Sequence, residues 1–155
     1  MLRIDELVSS GLLAPGAFSL VLLPVSTIVH VPRKDLQSFF ESLRWLMLRG
    51  GGVLLALSQK ASRDGAISGP EISRGRNEDC GYEVFSKDEV NAERTQIRRT
   101  FRFQFDNGEE SVLTFDGALH SYQEVEESAA LAGLVIEASS NLGPQGMQWL
   151  LHRTD

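Results

Sequence analysis

Two short apolar runs, separated by a segment of helix length, constrain the fold of this chain more than any other feature. The first run, Phe18–Leu23, is apolar on both of its faces and ends at Pro24. The second run, Val53–Leu57, has the same character. Strands of this kind are typical of a parallel sheet covered by helices. The pair therefore predicts a right-handed βαβ unit at the centre of an α/β domain.

The segment between the two runs has the spacing of an amphipathic helix. Apolar residues recur at helical intervals over Lys34–Leu48, and Arg49–Gly52 follows as a glycine turn that ends the helix. In open α/β sheets, ligands bind beyond the carboxyl ends of the strands. The sequence therefore predicts that the ligand-binding edge of the sheet is formed by Pro24–Val31 and Ser58–Arg63.

Composition narrows the classes of function. The chain has 155 residues and a formal net charge of −6, which favours one domain and argues against binding to nucleic acid or to an anionic membrane. The only cysteine, Cys80, permits no internal disulfide. No secretory signal pattern and no window long enough to span a bilayer are recognisable, so we expect a cytoplasmic protein.

From Cys80 onward the hydrophobic period changes from helical spacing to two. A short strand is predicted at Tyr82–Phe85, interrupted over Ser86–Asn91, and a clearer one at Thr95–Phe105. Asp106–Gly108 is a strong hairpin signal, and Glu110–Phe115 is the predicted return strand. We expect this region to be an antiparallel insertion.

Aromatic and basic residues interleave in this insertion, which invites a nucleic-acid interpretation. Strict alternation favours another one, in which the phenylalanines enter the core while the arginines meet water or acidic neighbours such as Glu109 and Glu110. The residues concerned are Phe101, Phe103 and Phe105, and Arg94, Arg98, Arg99 and Arg102.

The stretch Ser58–Asp79 is the most loop-like part of the chain. Its arginines, Arg63, Arg74 and Arg76, either face an anionic group or are solvated surface residues.

The last section returns to an α/β pattern. Ser121 and Glu124 have the spacing of a capping box, and Gly133 ends the predicted helix. Strands are expected at Leu134–Ala138 and Met147–Leu151. Residues 1–155 are thus expected to form a single domain, with an α/β core from 1–57 and 117–155 and a loop plus β-rich insertion from 58–116.

Few residues have the spacing of a known reactive site. The histidines His30, His120 and His152 show no metal-ligand spacing, so no metal site is expected. The loop after the first strand carries Ser26, Thr27 and His30, which either line a ligand cleft or satisfy local backbone groups and order the approach to the helix.

The order of these elements resembles the C-terminal half of a class I S-adenosylmethionine-dependent methyltransferase. Phe18–Pro24 is similar to the fourth strand of that family, and Ser26–Val31 is similar to the stretch just after it. Leu43–Leu55 resembles the turn into strand five. Tyr122–Ile136 is similar to the helix that leads into strand six, and Gly146–Arg153 resembles the antiparallel seventh strand.

The resemblance implies a partial Rossmann-like methyltransferase sheet, strands four to seven, with an antiparallel β insertion that shapes the acceptor pocket. The family's glycine-rich loop after strand one and its acidic residues after strands two and three have no counterpart in this sequence. The resemblance therefore implies a truncated protein, or one whose first half comes from a partner, with poor cofactor binding by these residues alone. A first strand left uncovered would argue against the assignment.

The implied function is methyl transfer from S-adenosylmethionine to a small-molecule acceptor. By resemblance, the residues beside the cofactor are Leu23, Pro24, Val25, Ser26 and Thr27. His30 is expected to accept a proton from the acceptor.

Two alternatives stay open. In the first alternative, the chain is a non-catalytic α/β module that pairs through its sheet edge with a partner or with itself. In the second, it is an α/β enzyme that uses another nucleotide.

Overall fold

The computed structural model describes residues 10–11, 13–24, 27–58, 70–76, 80–142 and 146–154. Within these ranges the chain forms two four-stranded sheets. The first sheet contains β1 (Phe18–Leu23), β2 (Met47–Leu57), β7 (Leu134–Asn141) and β8 (Met147–Arg153), and the second contains β3 (Glu71–Arg76), β4 (Gly81–Val90), β5 (Gln96–Phe105) and β6 (Glu110–Ala118). The helices are α1 (Leu36–Leu46) and α2 (Tyr122–Leu131), with short 3₁₀ helices at Thr27–His30 and Arg33–Asp35.

The first sheet has the order β1-β2-β8-β7 and is mixed. β1 runs parallel to β2, with Val21 opposite Val53 and Leu23 opposite Leu55, so the predicted strand–helix–strand unit is confirmed. β8 is antiparallel to both β2 and β7. The expectation of a parallel sheet therefore holds for one pair of strands only.

The glycine turn predicted after the first helix is part of a strand instead. α1 ends at Leu46, and β2 begins at Met47 and includes the glycines. Gly50 has a φ of +72°, and a Cβ on Gly51 would lie 3.1 Å from the carbonyl oxygen of Ser19. The glycines therefore allow an irregular start of β2 to lie close against β1, where the register shifts.

The core lies on one face of the mixed sheet, where α1 and α2 pack against each other and against the strands. Phe40 and Leu43 of α1 and Val125 of α2 are almost fully buried there. Both helices are amphipathic, so each contributes one apolar stripe to this layer. The strand residues that complete the core are Leu23, Met47, Val53, Leu55, Leu57, Leu134, Trp149 and Leu151.

The opposite face of the same sheet is apolar but only partly covered by the described residues. Leu20, Leu22 and Val135 are 48%, 61% and 45% exposed. Leu54 and Leu150 lie on the same face and are half-buried. We call these five residues the open face. The expected burial of β1 on both of its faces is therefore wrong for the described part of the chain, since β1 is an edge strand whose alternate side chains point away from the core.

The second sheet is antiparallel throughout, with the order β3-β4-β5-β6. The predicted antiparallel insertion and its hairpin are confirmed, and Gly108 has the positive φ, +85°, that such a turn requires. The expected interruption of β4 is wrong, because this strand pairs with β5 along its whole length, including Asp88 opposite Arg99. β3 lies within the stretch predicted to be a loop.

Neither helix in the described ranges has the length and apolar character needed to cross a bilayer.

Candidate functional site

The residues predicted to contact a cofactor follow the carboxyl end of β1. Leu23 is buried in the core, Pro24 is exposed, and Thr27 is half-buried at the start of a 3₁₀ helix. The Thr27 amide donates a hydrogen bond to the Pro24 carbonyl over 3.1 Å, which closes a tight turn. Val25 and Ser26 lie outside the described residues.

His30, predicted to accept a proton, is the last residue of this 3₁₀ helix and is exposed. Its ring centroid lies 5.3 Å from that of Phe115 in β6, with the ring planes tilted by 48°. The structure thus places His30 between the end of β1 and the antiparallel sheet. This neighbour was not predicted, because β6 was expected to end at Phe115 and its position relative to β1 was open.

Aromatic side chains continue from Phe115 across one face of the antiparallel sheet. Phe101 lies 6.2 Å from Phe115, and Phe103 lies 6.5 Å from both Phe101 and Phe105. Tyr82 of β4 lies 6.2 Å from Phe105. We call these five residues the aromatic row. All are half-buried and outside the main core, so the prediction that the phenylalanines enter the core is wrong.

An ion pair lies at the His30 end of the aromatic row. Arg99 donates two hydrogen bonds of 2.5 Å each to Asp88, and the two side chains are only 18% and 9% exposed. The hydrogen bond from Arg99 to the carboxylate raises the pKa of the guanidinium. Arg99 also lies over the Phe115 ring, 6.0 Å from its centroid. This pair was not predicted from the sequence, although Arg99 lies on the same face of β5 as the phenylalanines.

The other strand arginines behave as the alternation predicted. Arg98 pairs with Asp116 and Arg102 with Glu110, on the solvent-facing side of the sheet. The hydrogen bond from Arg98 lowers the pKa of Asp116. These exposed pairs give the face a mixed charge, which is a poor surface for a polyanion.

The arginines predicted in the loop-like stretch are only partly described. Arg74 lies in β3, pairs with Glu83 and is 80% exposed, so it is a solvated surface residue. Arg63 lies outside the described residues.

A cleft of about 830 Å³ opens where the 3₁₀ segments meet the ends of β4, β5 and β6. His30 forms part of its wall and so lies between the cleft and the aromatic row. The polar residues that line the cleft include Arg33, Lys34, Asn91, Arg98 and Asp116. Across the described ranges, no group of three or more His, Cys, Asp or Glu side chains is arranged to hold a metal ion.

The described residues at the end of β1 could form only one side of a site for an adenosyl cofactor. Pro24 supplies an exposed ring and Thr27 a hydroxyl beside a closed turn, while the side chain of Leu23 is buried in the core. None of the three carries a charge that would hold a ribose or an amino-acid group. Within the described residues the fit is therefore that of one wall of a pocket.

No protein-family model and no curated protein matches the sequence. Solved structures do match, and the chain has the fold of part of the S-adenosylmethionine-dependent methyltransferases. One of them, a methyltransferase from Clostridium acetobutylicum, is 12% identical, with a TM-score of 0.68. The amino pentose methyltransferase CalS10 from Micromonospora echinaspora, solved with bound S-adenosylmethionine, is 16% identical, with a TM-score of 0.73. The sugar N-methyltransferase KedS8 from a Streptoalloteichus species is 14% identical, with a TM-score of 0.71.

The match is nearly complete for this chain and partial for the other structures. It covers 89% of this chain but 59% of the Clostridium and Micromonospora chains, and 90% of this chain but 57% of the Streptoalloteichus chain. The resemblance stated from the sequence is thus confirmed at the level of the fold. The expectation that an uncovered β1 would overturn it is wrong, because the fold matches although the open face is present.

Proposed function

We propose that this chain contributes the C-terminal part of an S-adenosylmethionine-dependent methyltransferase that acts on a small molecule. The observation that carries the proposal is the match of both sheets to solved methyltransferases over 89% of the chain. In this proposal β1, β2, β7 and β8 correspond to strands four to seven of the family, and β3–β6 form the insertion that shapes the acceptor pocket.

The cofactor pocket is completed by further polypeptide, in the same or another chain, that pairs along β1 and covers the open face. The exposed Leu20 and Leu22 support this part of the proposal, because burying a leucine side chain stabilises a protein by about 1.5–3 kcal/mol. The partial coverage of the solved methyltransferases supports it independently.

The chemistry proposed is direct displacement at a methyl group. Bound S-adenosylmethionine supplies an electrophilic methyl, and the protein aligns the acceptor and excludes water. Leu23, Pro24, Val25, Ser26 and Thr27 form the wall beside the methionine end. His30, exposed at the end of its 3₁₀ helix, accepts the proton that the acceptor releases.

The aromatic row supplies the acceptor side. Ring faces at half-buried positions pack against the apolar faces of a sugar or another flat ring, and they attract a nearby ammonium group. An amino sugar has both features. Two of the matched proteins are described as an amino pentose methyltransferase and a sugar N-methyltransferase, which supports this acceptor class.

The proposal is tested by titrating S-adenosylhomocysteine into the ¹⁵N-labelled chain and following the amide resonances. We expect weak binding with shifts confined to residues 23–30, because only one wall of the pocket is present. Phe85 in β4, remote from this wall along the sequence, serves as the internal reference. Shifts spread over the whole chain, or none at saturating ligand, would contradict the proposal.

The role of His30 is tested by measuring kcat for methyl transfer, in a preparation of the protein that has this activity. His30→Ala is expected to lower kcat by about 10²-fold, the usual contribution of a positioned general base. His152→Ala is the matched control, since His152 lies in β8 and has no proposed role. An unchanged kcat in His30→Ala would remove His30 from the mechanism.

A second candidate function rests on the open face. A non-catalytic module that pairs through β1 with a partner or a second copy also accounts for the exposed leucines of this edge strand. The titration separates the two functions, because such a module needs no site for the cofactor.

A further inference from the structure

We infer that His120 is a positioning residue that holds the backbone beside His30. The inference rests on the proposed function, in which His30 accepts the proton. His120 lies between β6 and α2, immediately before the helix cap, and is 2% exposed. It is the one charged or polar side chain among the described residues that is buried to this degree.

The His120 ring reaches the segment that carries His30. Its Nε2 lies 3.0 Å from the carbonyl oxygen of Val31, the next residue after His30. A carbonyl only accepts hydrogen bonds, so Nε2 carries the proton and donates it. Nδ1 is then an unprotonated nitrogen, and it is buried with no hydrogen-bond partner in the described structure. The ring is thus neutral in this arrangement, and its burial lowers the pKa of His120.

Two further contacts fix the same segment on either side of Val31. A Cβ on Gly117 would lie 3.0 Å from the carbonyl oxygen of Val29, so β6 approaches this segment closely and a larger residue would require a small shift of one of them. Beyond Val31, Arg33 pairs with Glu124 of α2. Glu124 also accepts a hydrogen bond of 2.7 Å from the Ser121 amide.

These contacts alternate along the chain. Residues 29, 31 and 33 are held by the β6–α2 junction, while His30 turns its ring to Phe115. The histidine supplies the central contact, and it is the one that bonds directly to a backbone atom of the residue following His30. An apolar side chain of the same size would fill the space but leave the Val31 carbonyl without this donor.

His120 is buried and its hydrogen bond goes to a backbone carbonyl, so it acts through His30 rather than on a substrate. If the hydrogen bond from His120 to the Val31 carbonyl is lost, we expect local unfolding of residues 27–33 to become more frequent. The His30 ring is then no longer held beside Phe115.

The test uses the full chain and needs no cofactor. His120→Leu removes the donor, and His120→Gln keeps an amide donor that can reach Val31. The readouts are the ring-current shift of the His30 side-chain protons, caused by Phe115, and amide hydrogen exchange over residues 27–33. We expect His120→Leu to lose most of the shift and to exchange about tenfold faster there, while His120→Gln restores both.

His120→Asn serves if the leucine variant does not fold. The asparagine side chain is too short for its amide to reach the Val31 carbonyl. We therefore expect the asparagine variant to lose the His30 shift and to exchange faster over residues 27–33, while the glutamine variant behaves as the wild type does. Equal His30 shifts and equal exchange in the glutamine and asparagine variants would overturn the inference.

Failure of the proposed function gives a different pattern. In that case S-adenosylhomocysteine causes no shift at residues 23–30, whereas the His30 shift still depends on residue 120. Where methyl transfer is measurable, kcat is expected to fall about tenfold in His120→Leu and to be retained in His120→Gln.

Discussion

At the scale of single residues, the pair Asp88–Arg99 shows how burial changes the contribution of an ion pair. Its side chains are 9% and 18% exposed, whereas those of Glu110 and Arg102 are 42% and 53% exposed. Removing one charge of a largely buried pair leaves the other without a partner and poorly hydrated, while an exposed pair is replaced by water at little cost.

We therefore expect Asp88→Asn to lower the free energy of unfolding by about 2 kcal/mol. The matched control, Glu110→Gln, should cost less than about 0.5 kcal/mol, because that pair is solvated. Urea denaturation of the two variants measures both values. Equal losses in the two variants would show that burial of the Asp88 pair contributes nothing.

His120 makes the stability of the chain depend on pH. Burial, reinforced by the charge of Arg33, lowers its pKa from the ordinary value of 6.5, although the carbonyls of Val31 and Ile28 favour a proton on the ring. The unfolded chain therefore binds more protons than the folded chain just below pH 6.5, so stability rises with pH through this window. The contribution of His120 is complete above the ordinary pKa and is lost as the pH falls below it.

The expected result is a free energy of unfolding that falls between about pH 7 and about pH 5, with a smaller fall in His120→Gln. The measurement is urea denaturation across this range. The value at the upper pH gives the pH-independent cost of the substitution. Parallel pH curves for the two proteins would contradict a lowered pKa at His120.

At the scale of elements, local signals were reliable where a short side-chain pattern determines the backbone. The capping box at Ser121 and Glu124 is confirmed in both of its hydrogen bonds, and Gly133, with a φ of +77°, follows the end of α2. The hairpin at Asp106–Gly108 is also confirmed. These features depend on neighbours within a few residues, so the sequence contains the information that they need.

The cap leads to a prediction about α2. Ser121→Ala removes the hydrogen bond from the Glu124 amide, so it should lower the free energy of unfolding by about 1 kcal/mol. Ser128→Ala, within the same helix, is the matched control and should cost nothing, because alanine has the higher helix propensity. Thermal and urea unfolding measure both. An equal effect of the two substitutions would contradict a capping role.

Features that depend on distant neighbours could not be predicted. Alternation assigns Phe101, Phe103 and Phe105 to one face of β5, but it does not say what that face meets. In β4, charged residues such as Lys87 and Glu89 obscured the strand, although pairing with β5 continues through them. The contact between His30 and Phe115 likewise joins residues far apart in the sequence. The sequence therefore predicted individual residues on the β1 side of the candidate site, whereas for the antiparallel sheet it predicted, by resemblance, only an insertion that shapes the acceptor pocket.

At the scale of the whole molecule, the open face is an exposed apolar surface of the described residues. Leu20 and Leu22 of β1 and Val135 of β7 lie at opposite edges of the mixed sheet, and the half-buried Leu54 and Leu150 lie between them. Contiguous apolar patches of this kind are sites of association. We expect this chain alone to self-associate through the open face.

Leu22→Lys should weaken self-association by about tenfold or more, because it places a charge at the most exposed leucine of the open face. Leu131→Lys is the matched control, since Leu131 is 71% exposed but lies on α2. Sedimentation velocity over a range of concentrations measures the effect. If both variants associate as the unmodified chain does, the contact lies elsewhere.

The position of β8 has a consequence for the time at which the mixed sheet can form during synthesis. β8 lies between β2 and β7 and joins them, although it is made after both. Until residues 147–153 have left the ribosome, β7 has no strand beside it and β2 is paired on one side only. The last strand to be made therefore completes the mixed sheet, and premature termination before Met147 would leave the β1–β2 pair and an unpaired β7.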